Sequence, residues 1–185
     1  MRRGEDAVAR ARAEPVEVVD YDPAWIDRFA EEASHLRACL PTHLIGRIEH
    51  FGSTAVPGLA AKPVVDIMVE VSSLEDVRNT IAPILRGLGY EFFWRPVTPG
   101  SPEIDYAWFI RRDATGRRTH HVHFVPAGSP YWDRLVFRDR LIADPRLAAE
   151  YGALKRRAAR EQPGDRKAYS RAKSAFIRRV MRGEG

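Results

Sequence analysis

The sequence predicts an α+β (mixed α/β) fold: a mixed sheet with a β-hairpin, packed by helices, and a helical C-terminal half. Three observations predict it. Strand-like and helix-like patterns alternate through the first half of the chain. Two strand-like runs, 105–112 and 118–125, are separated only by the turn Asp113-Ala114-Thr115-Gly116, which makes them an antiparallel hairpin. Beyond Ser129 the apolar spacing is helical throughout. A hairpin within the sheet excludes a purely parallel doubly wound architecture.

The elements follow in order. Residues 1–14 read as a flexible polar arm and 15–183 as one domain, in keeping with a length of 185 residues. Residues 16–19 form a short apolar run, a first strand. Asp22-Pro23 opens a helix, because Asp caps well and proline is tolerated in the first turn. Trp25, Phe29, Ala33, Leu36 and Leu40 follow at helical spacing, and Pro41 ends the run. Residues 45–51 read as a strand ending in Gly52-Ser53. A small-residue loop with two prolines leads to 64–71, the strongest strand signal in the chain. Ser72-Ser73-Leu74-Glu75-Asp76 resembles a capping box and starts a helix to about Arg86. Residues 90–94 form a strand and 96–102 a loop, and then comes the hairpin. Ser129-Pro130 and Asp144-Pro145 each start a helix. Leu147, Tyr151, Leu154 and Ala158 line one helix face. Pro163-Gly164 breaks the pattern, and Tyr169, Ala172, Phe176 and Val180 line the last helix.

Composition narrows the function classes. The single cysteine, Cys39, allows no intrachain disulfide and fits a reducing cytoplasm. No apolar run reaches the roughly 20 residues that span a bilayer, and residues 1–12 lack a signal-peptide core. A soluble cytoplasmic protein with no membrane partner is expected. The net charge is +5, with Lys and Arg dense between Arg138 and Arg182. Such a face attracts phosphates on nucleotides or on nucleic acid. The same charges also suit a solvated helix surface.

Three segments carry candidate chemistry. In His50-Phe51-Gly52-Ser53-Thr54 a strand ends in Gly-Ser, which offers N–H groups and a hydroxyl to a phosphate oxygen. In 62–71, Asp66, Met68 and Glu70 share one strand face. An acid on an otherwise apolar strand calls for a metal, a cation or a donor. In His120-His121-Val122-His123, two imidazoles about 7 Å apart at Cα share a face and can converge on a metal or phosphate. Lys62, Arg111, Arg138, Lys155 and Lys173 are cations able to meet a phosphate chain.

These residues resemble a known family. The run HFGSTAVPGLAAKPVVDIMVEV, from His50 to Val71, is similar to the GrpB family signature, and HHVHFVP to its His-x-His strand. FRDRLIADPRLAAEYGALKRRAA and DRKAYSRAKSAFI resemble its helical C-terminal half. The likeness runs from Val16 to Arg182. It implies a nucleotidyltransferase-like fold of the DNA polymerase β superfamily. Members typically hold nucleotide phosphates with Gly-Ser. They bind two divalent ions through Asp-x-Asp and a third acid on a neighbouring strand. Carried over, Gly52 and Ser53 occupy the Gly-Ser position and Asp66 is the first acid; Thr54 beside them and the cations Lys62, Arg111 and Lys173 are the further candidates for binding the nucleotide phosphates. The second acid position holds Met68, which is no ligand for Mg²⁺. Glu70 lies roughly 13 Å along the strand from Asp66. His121 and His123 take the place of the third acid.

The resemblance therefore implies catalytic roles for Asp66, His121 and His123. The metal ligands are sought among Asp66, His121, His123 and Glu70. The ion is Mg²⁺ or Mn²⁺, or Zn²⁺ in view of the imidazoles. The function implied is metal-dependent transfer of a nucleotidyl group from an NTP to an unidentified acceptor. The alternative is a catalytically degenerate protein binding a nucleotide or other phosphorylated small molecule. Relatives joined to dephospho-CoA kinase fit that alternative. An RNA partner ranks last, because Tyr151, Tyr169 and Phe176 lie at core spacing instead of forming a stacking platform.

Overall fold

The structure, a computed structural model, describes Glu14 and residues 17–95, 106–161 and 166–183. The polar arm, the 96–102 loop and the Pro163-Gly164 break lie outside the described residues, apart from Glu14. Helix α1 (Ala24–Cys39) is followed by β1 (Ile45–Phe51) and β2 (Val65–Val71). Helix α2 comprises Leu74–Asp76, a π-helical stretch Val77–Ile81, and Ala82–Gly87. Strands β3 (Glu91–Arg95), β4 (Tyr106–Arg112) and β5 (Arg118–Pro126) come next. A 3₁₀ turn, Pro130–Asp133, leads into α3 (Arg134–Ala143), α4 (Pro145–Glu161) and α5 (Arg166–Met181).

Local chemistry sets these starts. The Asp22 carboxylate accepts the Ala24 N–H at 3.0 Å at the head of α1. Ser73 Oγ accepts the N–H groups of Glu75 and Asp76 at the head of α2. Asp144 does the same for Arg146 and Leu147 at the head of α4. Each satisfies N–H groups that the first helical turn leaves without partners. The strand expected at 16–19 reduces, where described, to a single antiparallel bridge between Val19 and Ala61.

The fold is α+β, as the sequence predicts, with a five-stranded mixed sheet in the order β1-β2-β5-β4-β3. Strands β4 and β5 form the expected antiparallel hairpin. Strand β5 inserts parallel to β2, with Asp66 opposite His121 and Met68 opposite His123. Because side chains alternate, the two sheet faces differ. Val65, Ile67, Val69, Val122, Phe124 and Phe109 pack against Trp25 and Leu36 of α1 and Val77, Ile81 and Leu85 of α2. The opposite face carries Phe51, Met68, Tyr106 and Val125 against Tyr131 and Trp132. Beside it, Val56 and Leu59 join α3, α4 and α5 around Leu141, Tyr151, Phe176 and Val180. Among the described residues no helix is long and apolar enough to cross a membrane. Cys39 is half-buried against the α1 core, and burial raises its thiol pKa.

One buried acid was not foreseen from sequence. Glu32 of α1 is 1% exposed. It accepts the Tyr90 hydroxyl at 2.5 Å and pairs with Arg111 from β4. This pairing ties α1 to β4 and to the residue just before β3 on the apolar face. Removing the acid leaves the Tyr90 hydroxyl and the Arg111 guanidinium without their partner. Arg111 is 42% exposed and stays hydrated, which limits the loss. Glu32→Ala is expected to cost about 2–3 kcal/mol in urea unfolding. A loss under about 0.5 kcal/mol, the range of an inert surface change, would contradict this role.

Candidate functional site

Asp66 is the second residue of β2, and its neighbours across the register are Phe51 of β1 and His121 of β5. Its Oδ1 lies 3.1 Å from His121 Nδ1. The other ring nitrogen of His121, Nε2, lies 3.5 Å from the Arg118 guanidinium. An arginine only donates, so Nε2 accepts and Nδ1 carries the proton, which it donates to Asp66. Burial lowers the His121 pKa below the ordinary imidazole value, against the pull of Asp66, and the neutral ring matches this tautomer. Burial alone would raise the Asp66 carboxyl. The His121 hydrogen bond, with the charges of His121, His123 and Lys62 in the acid range where Asp66 takes up its proton, more than reverses that and holds it at about 2. Asp66 is therefore ionised at neutral pH, with 30% of its side chain reaching solvent.

His123 lies two residues along β5 on the same face and is 7% exposed. Its Nδ1 is 3.1 Å from the Tyr131 hydroxyl. The rings of Phe51, Tyr106, Trp108 and Tyr131 surround it, with centroids between 5.2 and 5.9 Å away. One ligand atom each from Asp66, His121 and His123 lies within 4.8 Å of the others. Two imidazoles and one carboxylate are a donor set for a divalent ion, and small side-chain rotations would bring all three onto one ion at about 2.0–2.2 Å.

Gly52 closes the site from the β1 end. It has φ +73° and ψ −168°, backbone that a side-chain-bearing residue rarely adopts. A Cβ there would lie 2.6 Å from Asp66 Oδ2. Glycine thus lets the backbone at the head of the turn Ser53–Ala55 pass close to the carboxylate.

Among the cations, the charges of both Lys62 and Lys173 act on Lys155, and that of Lys62 on Asp66 as well. Lys62 and Lys173 flank the Tyr169 ring at 6.0 and 4.5 Å. Lys155 is 2% exposed and donates to the Ala60 carbonyl. Burial and the neighbouring charges depress its ammonium to about 7. Lys62, Lys155 and Lys173 are thus gathered on the Asp66 side of the sheet by the 56–62 loop and helices α4 and α5.

Three expected site residues fall elsewhere. Arg111 is opposite His120 on the α1 face of the sheet and pairs with Glu32, so it does not meet a ligand at Asp66. Strand alternation decides this: Ile110, not Arg111, stands opposite His121. Glu70 lies further along β2, bound to Arg47 at 2.9 Å and packed against Gly46, outside the Asp66–His121–His123 group. The Thr54 side chain is buried, with Oγ1 3.0 Å from His50 Nε2, leaving its backbone as the part able to face a ligand. Burial lowers the His50 pKa to about 4, so that ring is neutral. Arg138 binds Glu49 and the His50 carbonyl and joins α3 to β1. Sequence reasoning missed Arg118 and Tyr131. The sole signal for Tyr131 is its place after Ser129-Pro130, just beyond the His-x-His strand.

The profile of the GrpB family, described as GrpB protein, matches residues 15–183. A UPF0157 protein of Pseudomonas aeruginosa is 42% identical over 169 residues, 90% of this chain and 66% of that protein. The chain spans 45% of a UPF0157 protein of Bacillus subtilis at 34% identity. A dephospho-CoA kinase of Mycolicibacterium paratuberculosis is 33% identical over 95% of this chain, which covers 46% of that enzyme. Among solved structures, the conserved protein GrpB from Enterococcus faecalis superposes with TM-score 0.73 at 33% identity, covering 91% of this chain and 96% of that one. Cid1, described as an RNA terminal uridylyl transferase, superposes with TM-score 0.53 at 14% identity, over 88% of this chain and 46% of Cid1. That second likeness is one of fold.

Proposed function

Because the chain belongs to the GrpB family, we propose that it is a metal-dependent nucleotidyltransferase, moving a nucleotidyl group from an NTP to an acceptor. The observation that carries this reading is the contact of the Gly52-Ser53 turn with Asp66. A phosphate-binding type of turn and an ionised carboxylate with two imidazoles beside it meet at one point. The nucleotidyltransferase-type fold of Cid1 supports it.

Asp66, His121 and His123 would hold the divalent ion, which when bound supplies positive charge at the transferring phosphoryl group. The chain's own groups do the remainder. Ser53 and the backbone of the turn bind phosphate oxygens. Lys62 and Lys173, with Lys155 behind them, neutralise the phosphate chain. Tyr131 fixes the His123 ring through Nδ1, leaving that imidazole oriented for ligation or for proton transfer.

Asp66→Asn keeps an oxygen to accept the His121 N–H and removes the charge. Titrating ATP, GTP, CTP and UTP with and without Mg²⁺, Mn²⁺ or Zn²⁺ should show metal-dependent binding that weakens at least ~10-fold in this variant, equivalent to about 1.4 kcal/mol. Full binding and full transfer activity in a folded Asp66→Asn protein would sink the proposal.

A second reading is favoured by Met68, which is completely buried at the second acid position. It makes the protein a binder of a nucleotide or related phosphorylated ligand without turnover. The relative described as a dephospho-CoA kinase suits such a ligand. Binding indifferent to metal, with no transfer product, would select it. An RNA partner has less support: Tyr151 and Phe176 are buried, and Arg156 and Arg179 are paired with Asp20 and Glu150.

A further inference from the structure

We infer that Asp66, His121 and His123 form a site for one borderline transition cation, Zn²⁺ ahead of Mn²⁺ and Mg²⁺, with the place for a second ion closed by Met68. This deepens the proposed function and rests on it for the ion's role, although ion binding itself is measured without nucleotide.

The donors come first. Two of the three are imidazole nitrogens, and their ligand atoms lie within 4.8 Å of the carboxylate oxygen. Nitrogen donors suit Zn²⁺, and at a given N/O site Zn²⁺ stands above Mn²⁺ in affinity. Mg²⁺ takes oxygen donors in near-octahedral geometry and gives up its waters reluctantly. Its usual partners at such a site, a pair of carboxylates, are reduced here to Asp66.

The surroundings point the same way. On the His123 side the wall is aromatic: Phe51, Tyr106, Trp108 and Tyr131 surround the ring, a poorer setting than carboxylates for the waters a Mg²⁺ ion keeps. Tyr131 sits on His123 Nδ1, the kind of outer partner that orients a metal-binding imidazole through its other nitrogen. His121 is 12% exposed and Asp66 30%, so a ligand oxygen would reach the ion more readily from the Asp66 side. An ion here replaces the hydrogen bond between His121 Nδ1 and Asp66 Oδ1, so the ring proton moves to Nε2 and the Arg118 guanidinium 3.5 Å away turns aside.

Met68 decides the stoichiometry. It is 0% exposed and packs with Phe51, Tyr106, Val125, Tyr131 and Trp132. A second ion beside the first would sit in this cluster with no carboxylate from the described residues to hold it. Glu70, the next acid on that face, is held by Arg47.

The test uses the full chain, tag-free and stripped by a chelator that is then removed. Zn²⁺, Mn²⁺ and Mg²⁺ are titrated singly by calorimetry, and bound metal per chain is counted by mass spectrometry after dialysis. The expected result is one Zn²⁺ per chain, bound at least ~100-fold more tightly than Mg²⁺. His123→Gln, which keeps the side-chain size, should weaken Zn²⁺ by ~10–100-fold. It should also abolish the visible absorption of a tetrahedral Co²⁺ substitute, a readout independent of variant stability once circular dichroism confirms folding. Two ions per chain, Mg²⁺ bound as tightly as Zn²⁺, no Zn²⁺ bound, or Zn²⁺ binding unchanged in His123→Gln would each overturn the inference. Nucleotide titrations on the same samples separate the two ideas. Nucleotide binding with the wrong ion preference overturns only the ion assignment. One tightly held Zn²⁺ without nucleotide binding or transfer overturns only the proposed function.

Discussion

Lys155→Met is expected to stabilise the protein near neutral pH and to weaken phosphate binding at the same time. Lys155 is 2% exposed and its depressed pKa of about 7 reflects burial first, then the charges of Lys173, Lys62 and Arg156. Its polar contact is the Ala60 carbonyl, and the Tyr151 ring centroid lies 4.7 Å from its Nζ. Among the described residues no carboxylate pairs with it. The unfolded chain holds this proton up to the ordinary lysine value of 10.5, whereas the folded chain releases it at about 7. Between those values the unfolded state binds more protons, so the contribution of Lys155 to stability rises with pH. Below pH 7 both states are protonated and the full penalty remains. Methionine has nearly the same shape and no charge. At pH 6 the variant should gain about 1–4 kcal/mol, the range seen when buried charges give way to apolar residues, less about 1 kcal/mol for the lost hydrogen bond. The gain should shrink as the pH rises towards 9. Urea unfolding of both proteins from pH 6 to 9 measures this, and a variant less stable at every pH would show the charge to be well compensated. NTP affinity should move the other way, falling ~10-fold or more, because the Lys155 ammonium adds to the positive charge that meets a phosphate chain.

Gly52→Ala should damage stability and site together. Its φ of +73° with ψ −168° lies where glycine is nearly the sole occupant, at about 1–3 kcal/mol for any other residue. The new Cβ would also stand 2.6 Å from Asp66 Oδ2 and 3.2 Å from Asp66 Cβ. Either the turn withdraws or the carboxylate is pushed off His121. A loss of about 2–4 kcal/mol and loss of metal-dependent nucleotide binding are expected. Gly58→Ala is the control, since Gly58 has the same φ of +73° with nothing within 4 Å of its would-be Cβ. It should lose stability alone. Equal effects of the two variants on binding would remove the case for a Gly52–Asp66 contact in function.

Much of this was readable in the chain. The apolar alternation of 64–71 marks a buried strand, and β2 is one, with Val65, Ile67 and Val69 at 1% exposure or less. The hairpin follows from two strand-like runs around Asp113–Gly116, where the Asp113 and Gly116 backbones bond each other at 3.0 Å. Such signals are local: a period of two, a cap, a turn residue. Asp66, His121 and His123 were legible for the same reason, being polar side chains at fixed phase on apolar strands.

Arg111 shows where local reading stops. Its chemistry suits a phosphate, and only the sheet order and register place it on the α1 face with Glu32. Glu32 itself looks like any helical glutamate until Tyr90 and Arg111 arrive from 58 and 79 residues away. Lys155 likewise sits among surface-type cations in sequence and becomes buried because α4 packs on the 56–61 loop.

The sequence by itself determined the elements, the α+β class and which side chains share a strand face, because period and capping depend on near neighbours in the chain. The tertiary structure alone decided that β5 enters parallel beside β2. That pairing brings His121 to Asp66 across 55 residues and sets His123 beside Met68. Strand partners are chosen by the burial of whole faces, a sum over distant residues that no local pattern records.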